Sequence, residues 1–231
     1  MNATSVRMYP DVSILLTLDF EQPSLLRKCT LFKNSIQRQD ITCYQLSTVK
    51  AVRNLIVQEV VEAGGNTLRG LWYHLSMAKG GGVPHILDKA IITEPDLLGI
   101  QNFFRQKMRA QTRELAKSQI QTQEVWAIDT FRKMEATNKG QIPLMSYLQR
   151  LATKLNEYNA EARNSLLRTE HDLKLIDEEP VDPKTIDVSS LEKALDSVGF
   201  DDKEDLTHIA SLMWLKQNRG YTPIFATADR K

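Results

Sequence analysis

Three aspartates, far apart along the chain, occupy positions where their carboxylates could meet. Asp11 follows a predicted first strand over residues 4–9, and Asp229 follows a predicted last strand over residues 221–227. Ligands of open α/β sheets bind outside the carboxyl ends of the strands. Asp205 opens a predicted helix, where the helix dipole favours an acid. Hard divalent cations take carboxylate oxygens, so these residues predict a cation site if they converge.

The elements that must position these acids predict an α/β fold interrupted by a helical hairpin. Residues 1–96 and 178–231 have the alternating strand and helix patterns of one α/β domain, whereas residues 97–177 predict an inserted antiparallel hairpin. The length of 231 residues fits one large domain or two small ones. It is also long enough to bury a core without disulfides or a structural metal.

Glycine and proline set the predicted helix boundaries. A helix over residues 49–63 is expected to stop at Gly64-Gly65-Asn66, with a second helix over residues 67–78. The absence of Pro from residue 97 to about residue 135, with Gly99 as the one glycine, predicts one very long helix. Another follows the turn at residues 138–140, with a heptad seam of Leu144, Leu148, Leu151, Leu155, Tyr158 and Ala162. This seam predicts packing within the hairpin, and a homodimer zipper is the alternative.

Charge is distributed unevenly along the chain. Residues 98–150 carry nine basic and four acidic side chains, whereas residues 170–205 carry thirteen acidic and four basic ones. The net charge of +1 excludes a uniformly basic nucleic-acid coat but not a local basic patch. Arg105, Arg109 and Arg113, spaced four apart, are candidates for a stripe that contacts phosphates, and a solvated helix face is the alternative.

Composition excludes several classes of protein. Cys29 and Cys43 are too few for a disulfide framework and form no C-x-x-C zinc motif. No segment approaches the roughly 18 apolar residues of a membrane span, and the start of the chain lacks a signal-peptide pattern. These features predict a cytoplasmic protein with no membrane contact. The chain stops two residues after Asp229, where an α/β sheet normally continues, so we expect a truncated sequence after Lys231.

Two parts of the sequence resemble the PIN-domain nucleases. The runs DLTHIA at residues 205–210 and IFATAD at residues 224–229 are similar to the family's C-terminal half, where an Asp starts a helix and a strand ends in Thr/Ser-x-Asp. The run RMYPDVSILL at residues 7–16 resembles the family's first strand, in which a small polar residue and an apolar run follow an Asp. The resemblance covers about residues 5–60 and 185–229. It implies a PIN-like parallel sheet flanked by helices.

The resemblance also implies an activity, the metal-dependent hydrolysis of RNA phosphodiester bonds. Asp11, Asp205 and Asp229 would be the catalytic metal ligands, with Glu59 as a fourth, and would hold one or two Mg²⁺ or Mn²⁺ ions. Carboxylates this close would repel one another, so the site requires the cations. Thr227 would hold a metal-bound water or orient Asp229. The implied partner is RNA, and the hairpin would present a basic face to it or dock a protein partner.

The sequence departs from the family pattern before the second acid. Pro10 stands where the family has an apolar strand residue. Lys50 and Arg53 stand near the start of the helix that should carry a Glu. Glu59 is the nearest acid, with Glu62 behind it, and an ordinary solvent-facing helix residue is the alternative interpretation of Glu59.

Two further alternatives stay open at this point. Asp19 competes with Asp11 for the first acid, because it would end the first strand if residues 13–18 formed that strand. We favour Asp11. His208 lies one turn after Asp205, and we interpret it as a packing residue or as a hydrogen-bonding neighbour of the site. The alternative function is a degenerate scaffold that binds RNA or a protein without cleavage, and a third is a helical interaction protein.

Overall fold

A computed structural model describes residues 6–80, 87–138, 140–179, 181, 185–186, 188–196 and 203–228 of the chain. Eight helices and six short strands lie in these ranges. The helices are α1 (Val12–Phe20), α2 (Pro23–Arg38), α3 (Ser47–Gly80), α4 (Glu94–Arg109), α5 (Glu114–Thr137), α6 (Leu144–Asp172), α7 (Val188–Asp196) and α8 (Lys203–Arg219). The strands are β1 (Val6–Pro10), β2 (Tyr44–Gln45), β3 (Ile91–Ile92), β4 (Ile142–Pro143), β5 (Ile176–Asp177) and β6 (Thr222–Ala226).

The strands lie in three two-stranded pairs. β1 and β6 pair in parallel, with Pro10 opposite Ala226. β2 and β5 also pair in parallel, and β3 pairs with β4 in antiparallel fashion, each over two residues. A single parallel bridge joins Met8 and Cys43. The predicted fold class, a PIN-like parallel sheet flanked by helices, was therefore wrong for the described part of the chain.

Helix formation explains why the described part of the chain has only short strand pairs and no central parallel sheet. α3 and α6 span 34 and 29 residues, so little of the chain is left for strands between the helices. The apolar run at residues 14–18 is helical, because Asp11 caps α1 by accepting a hydrogen bond of 2.6 Å from the Val12 N–H. Residues 13–18 therefore form no strand, and Asp19 does not follow one.

The predicted break at Gly64-Gly65-Asn66 does not occur, since α3 continues through it. The Gln123 side chain of α5 donates a hydrogen bond of 3.0 Å to the Gly64 carbonyl. A Cβ atom at residue 64 would lie 2.9 Å from the Gln123 Nε2. Glycine costs a helix about 1 kcal/mol relative to alanine, and the close packing of α5 on α3 outweighs that cost.

The predicted single helix over residues 97–135 is two helices, α4 and α5, separated at residues 110–113. Phe104 of α4 and Ile120 of α5 belong to the same buried cluster. At a rise of about 1.5 Å per residue, a straight helix would hold these two residues about 24 Å apart. Burial of both apolar faces in one core therefore favours the break, although no Pro or Gly marks it.

The chain divides into two compact units. Unit 1 contains residues 1–55 and 162–231, and unit 2 contains residues 56–161. The buried core of unit 1 includes Tyr9, Leu15, Ile36, Cys43, Leu46, Val49, Leu173, Leu212 and Leu215. The buried core of unit 2 includes Leu71, Leu75, Ile100, Phe104, Ile120, Phe131, Tyr147 and Leu151. The predicted insertion of residues 97–177 into an α/β domain stays a prediction.

Candidate metal site

Asp11 lies where the parallel strands β1 and β6 end side by side. Its backbone N–H donates a hydrogen bond of 2.8 Å to the Ala226 carbonyl, which continues the register of the two strands. Its side chain caps α1 through the Val12 N–H. Only 1% of the Asp11 surface is exposed, so the strand pair and the helix cap fix a buried carboxylate at this point.

Two hydroxyl groups hold the second oxygen of this carboxylate. The Ser13 hydroxyl donates to the Asp11 Oδ2 at 2.9 Å, and the Thr227 hydroxyl donates to the same oxygen at 3.2 Å. The Ser13 Oγ also accepts a hydrogen bond of 3.2 Å from the Ala228 N–H. The carboxylate is therefore oriented from both strand ends before any ligand arrives.

The first two turns of α8 bring two more potential ligands to Asp11. Asp205 and His208 are three residues apart and so share one face of the helix. Their ligand atoms and that of Asp11 all lie within 4.8 Å of one another. The His208 Nδ1 lies 3.9 Å from the Asp11 Oδ1. Among the residues that the structure describes, this is the one group of three or more acidic, His or Cys side chains close enough to share a cation.

Burial and charge distinguish this group from ordinary surface acids. Asp11 and His208 are buried and Asp205 is half-buried. In the described part of the chain, neither Lys nor Arg forms an ion pair with Asp11. A buried carboxylate is costly unless a cation compensates it, and a positive charge at this point would relieve that cost.

The donor atoms of the group fit a divalent transition-metal ion. Two carboxylates offer the hard oxygens that Mg²⁺ and Mn²⁺ accept, and an imidazole nitrogen suits Mn²⁺, Fe²⁺ or Zn²⁺ better than Mg²⁺. Because Asp11 and His208 are buried, they would hold an ion away from competing water. The residues present therefore fit a bound cation, with the nitrogen ligand as the feature that selects among metals.

The four predicted ligands have different outcomes. The structure brings Asp11 and Asp205 together, as expected. Asp229 lies outside the described residues. Glu59 belongs to unit 2, where it forms an ion pair of 2.5 Å with Arg113, and its role as a ligand stays a prediction. The rival Asp19 is buried in α1 and is paired with Arg53.

Two residues of the site were not assigned their present roles from the sequence. We interpreted His208 mainly as a packing residue, and the structure places it among the potential ligands. The Asp-x-x-His spacing in the first turns of a predicted helix was the signal available for it. Thr227, expected to serve Asp229 or a metal-bound water, donates its hydroxyl to Asp11, and Ser13 does the same.

The predicted arginine stripe does not exist as one helical face. Arg105 and Arg109 lie in α4, which ends at Arg109, whereas Arg113 is the N-cap residue of α5. Arg113 is also engaged by Glu59. The excess of basic residues in this part of the sequence remains, but it is not arranged along a single continuous helix.

Comparisons of the chain with protein-family models, with curated proteins and with solved structures gave no match. None of the described helices combines the length and the hydrophobicity needed to cross a membrane.

Proposed function

We propose that Asp11, Asp205 and His208 bind a divalent cation, with Mn²⁺ preferred over Mg²⁺, and that the site hydrolyses RNA phosphodiester bonds. One observation carries the proposal. A fully buried carboxylate, which no Lys or Arg of the described residues neutralises, lies beside a second carboxylate and an imidazole. A cation is the ligand that best compensates this combination of charge and burial.

Each residue has a defined part in this proposal. Asp11 and Asp205 supply negative charge to the cation, and His208 supplies the nitrogen that distinguishes Mn²⁺ from Mg²⁺. Ser13 and Thr227 hold the Asp11 carboxylate in orientation through its Oδ2. An ion held by Asp11, Asp205 and His208 would supply the chemistry of a divalent metal, namely activation of a water for attack and neutralisation of negative charge on the phosphate oxygens.

RNA is the proposed substrate because its phosphodiester groups can bind a cation and its negative charge is attracted by basic residues of the chain. Phosphate oxygens are hard anionic ligands that a site of this kind accepts. Residues 98–150 carry nine basic against four acidic side chains, and such an excess attracts a polyanion without selecting its sequence. Asp11, Ser13 and Asp205 are also residues on which the resemblance to metal-dependent ribonucleases rests.

The test combines cation binding with cleavage. We expect Mn²⁺ to raise the melting temperature of the protein and to support cleavage of single-stranded RNA, and EDTA to abolish both effects. Asp11→Asn should lose both. Asp172→Asn is the matched control, because it makes the same change at an acid of unit 1 that pairs with Lys33. If Mn²⁺ has no effect on the wild-type protein, Asp11 and His208 form a structural pair and the proposal fails.

A second variant tests the choice of metal. His208→Asp replaces the nitrogen ligand with an oxygen ligand, and we expect it to shift the preference towards Mg²⁺, measured as the ratio of the two dissociation constants. An unchanged ratio would contradict a ligand role for His208. Cation binding without cleavage of any RNA would instead support the second candidate function, a scaffold that binds a cation without catalysis. Lys50 and Arg53 stand where the resemblance calls for a Glu, and this departure favours that candidate.

A further inference from the structure

An open apolar groove lies between α3 and α6 within unit 2. Its volume is about 550 Å³, and its lining is almost entirely apolar. Residues at helical spacing form both walls: Gly65, Leu68, Arg69 and Trp72 from α3, and Met145, Leu148, Gln149, Ala152 and Leu155 from α6. The exposed fraction of both Trp72 and Met145 is 42%, so large apolar side chains face solvent here.

The dimensions of the groove suit a helix. The α6 wall extends from Met145 to Leu155, which is about 15 Å for ten steps at the rise of an α-helix. Lining residues recur every three or four positions on both walls, so the gaps between them match the spacing of apolar side chains on an amphipathic helix. A third helix could therefore lay three successive apolar residues between the two walls.

Gly65 allows such a helix to come close. A Cβ atom built on Gly65 would meet no atom within 4 Å, so nothing in its surroundings requires a glycine there. Glycine in the interior of a helix is unfavourable by about 1 kcal/mol relative to alanine. Its presence in the floor of an open groove is explained if another backbone approaches at that point.

The positive charge of Arg69 indicates which charge a helix bound in the groove should carry. It is exposed and lines the groove, and no acidic side chain in the described part of the chain forms an ion pair with it. The other polar residue of the lining, Gln149, is neutral. A helix bound between the walls would therefore be favoured if it placed a carboxylate opposite Arg69.

We propose that this groove binds an amphipathic helix of a partner protein that carries an Asp or Glu beside its apolar stripe. Every lining residue belongs to unit 2, so the proposal is independent of the cation site in unit 1. Apolar side chains of the helix would contact Leu68, Trp72 and Leu148. Its acidic residue would pair with Arg69 and fix the direction in which the helix binds.

The test is a selection from a displayed library of helical peptides with a constant apolar stripe and a randomised polar face. We expect the wild-type protein to enrich peptides with an Asp or Glu at one fixed offset from the stripe. Gly65→Trp, which fills the groove, should weaken their binding at least tenfold, and Gly65→Ala, which adds one methyl group where the partner backbone approaches, should weaken it by a smaller factor. Arg69→Glu should reverse the preference in favour of peptides with Lys or Arg.

Several results would overturn the proposal. They are a failure to enrich any peptide, enrichment that is indifferent to Gly65→Trp, and enrichment without an acidic preference. Groove-dependent binding to lipid vesicles in place of peptides would assign the surface to a membrane. Concentration-dependent dimerisation that Gly65→Trp abolishes would assign it to a second copy of the chain. Ala152→Trp, which fills the groove from the opposite wall, replaces Gly65→Trp if circular dichroism shows that the latter is unfolded.

Discussion

Unit 1 buries carboxylates in two different settings. Asp19 receives two hydrogen bonds, of 2.7 and 2.8 Å, from the guanidinium of Arg53, and Glu178 forms ion pairs with Arg7 and Arg219. Asp11 instead meets hydroxyl groups, a backbone N–H and an imidazole. The chain itself neutralises the first two carboxylates. The third is oriented by hydrogen bonds, and none of the described Lys or Arg residues forms an ion pair with it.

Two adjacent glycines of α3 in unit 2 differ in the same way. Gly64 is packed against Gln123, and a larger residue there would collide with that side chain. Gly65 faces the open groove, where a larger residue would meet nothing. In both units, a neighbouring side chain explains a feature that costs stability at one position, whereas the described residues give no such explanation at the other position. The positions without an internal explanation are those at which we infer external ligands.

The largest effect is expected from the buried ion pair. Arg53→Met should lower the free energy of unfolding by about 3–5 kcal/mol, because Asp19 would stay buried without its cation. Urea unfolding followed by circular dichroism measures this loss. The double variant Asp19→Leu/Arg53→Met should recover most of it, since no lone charge remains. A loss below about 1 kcal/mol in the single variant would show that Asp19 does not depend on Arg53. The difference between Asp19 and Asp11 would then no longer hold.

A smaller effect is expected from the removal of the cation ligand. Without metal, Asp11→Asn should change the free energy of unfolding by less than about 1 kcal/mol, because Asn also caps helices well and carries no charge. At a Mn²⁺ concentration about one hundred times the dissociation constant, the wild-type protein should gain about 2.7 kcal/mol and the variant nothing. Thermal unfolding with and without Mn²⁺ measures both values. A large loss in the metal-free variant would show that Asp11 is structural.

Glu178→Gln should lower the free energy of unfolding by about 2 kcal/mol, and this loss should depend on pH. Burial by itself raises the pKa of Glu178, but hydrogen bonds from Tyr9 and Arg7 outweigh burial and hold the pKa below its ordinary value. The Glu178 carboxylate therefore contributes fully to the stability of the protein above its pKa in the unfolded chain, about 4.3. This contribution is lost as the pH falls through the lower pKa of the folded protein. The difference in unfolding free energy between wild type and Glu178→Gln should shrink over that range. A difference independent of pH would contradict this account.

The smallest effect separates the two glycines. Gly65→Ala should stabilise the protein by about 0.5–1 kcal/mol, because alanine favours the helix and its methyl group meets open space. Gly64→Ala should give no such gain, since its methyl group would press on Gln123 and offset the helix preference. Melting temperatures of the two variants, measured side by side, provide the comparison. Equal stabilisation by both substitutions would show that α5 yields easily at Gly64.

The parts of the fold and site that were predictable from the sequence depended on local signals. β1, β6 and α8 follow short apolar patterns with clear ends, and Asp11 follows β1 and Asp205 lies in the first turn of α8 as their sequence patterns indicate. The continuity of α3 and the break between α4 and α5 depend on packing between residues far apart in the chain. The Arg53–Asp19 pair joins α3 to α1, and no local sequence pattern in either helix indicates its partner in the other. His208 was undervalued because a single His in a helix is most often a packing residue.

The pairing of β1 with β6 joins segments from opposite ends of the chain, and Asp11 and Thr227 are 216 residues apart. At a synthesis rate of about 5–20 residues per second, the ribosome adds Thr227 roughly 10–40 s after Asp11. During that interval the nascent chain has the residues of the α1 cap but not the Thr227 hydroxyl or the two proposed ligands of α8, Asp205 and His208. Metal capture would therefore be a late event in biogenesis, and incomplete translation products would lack it.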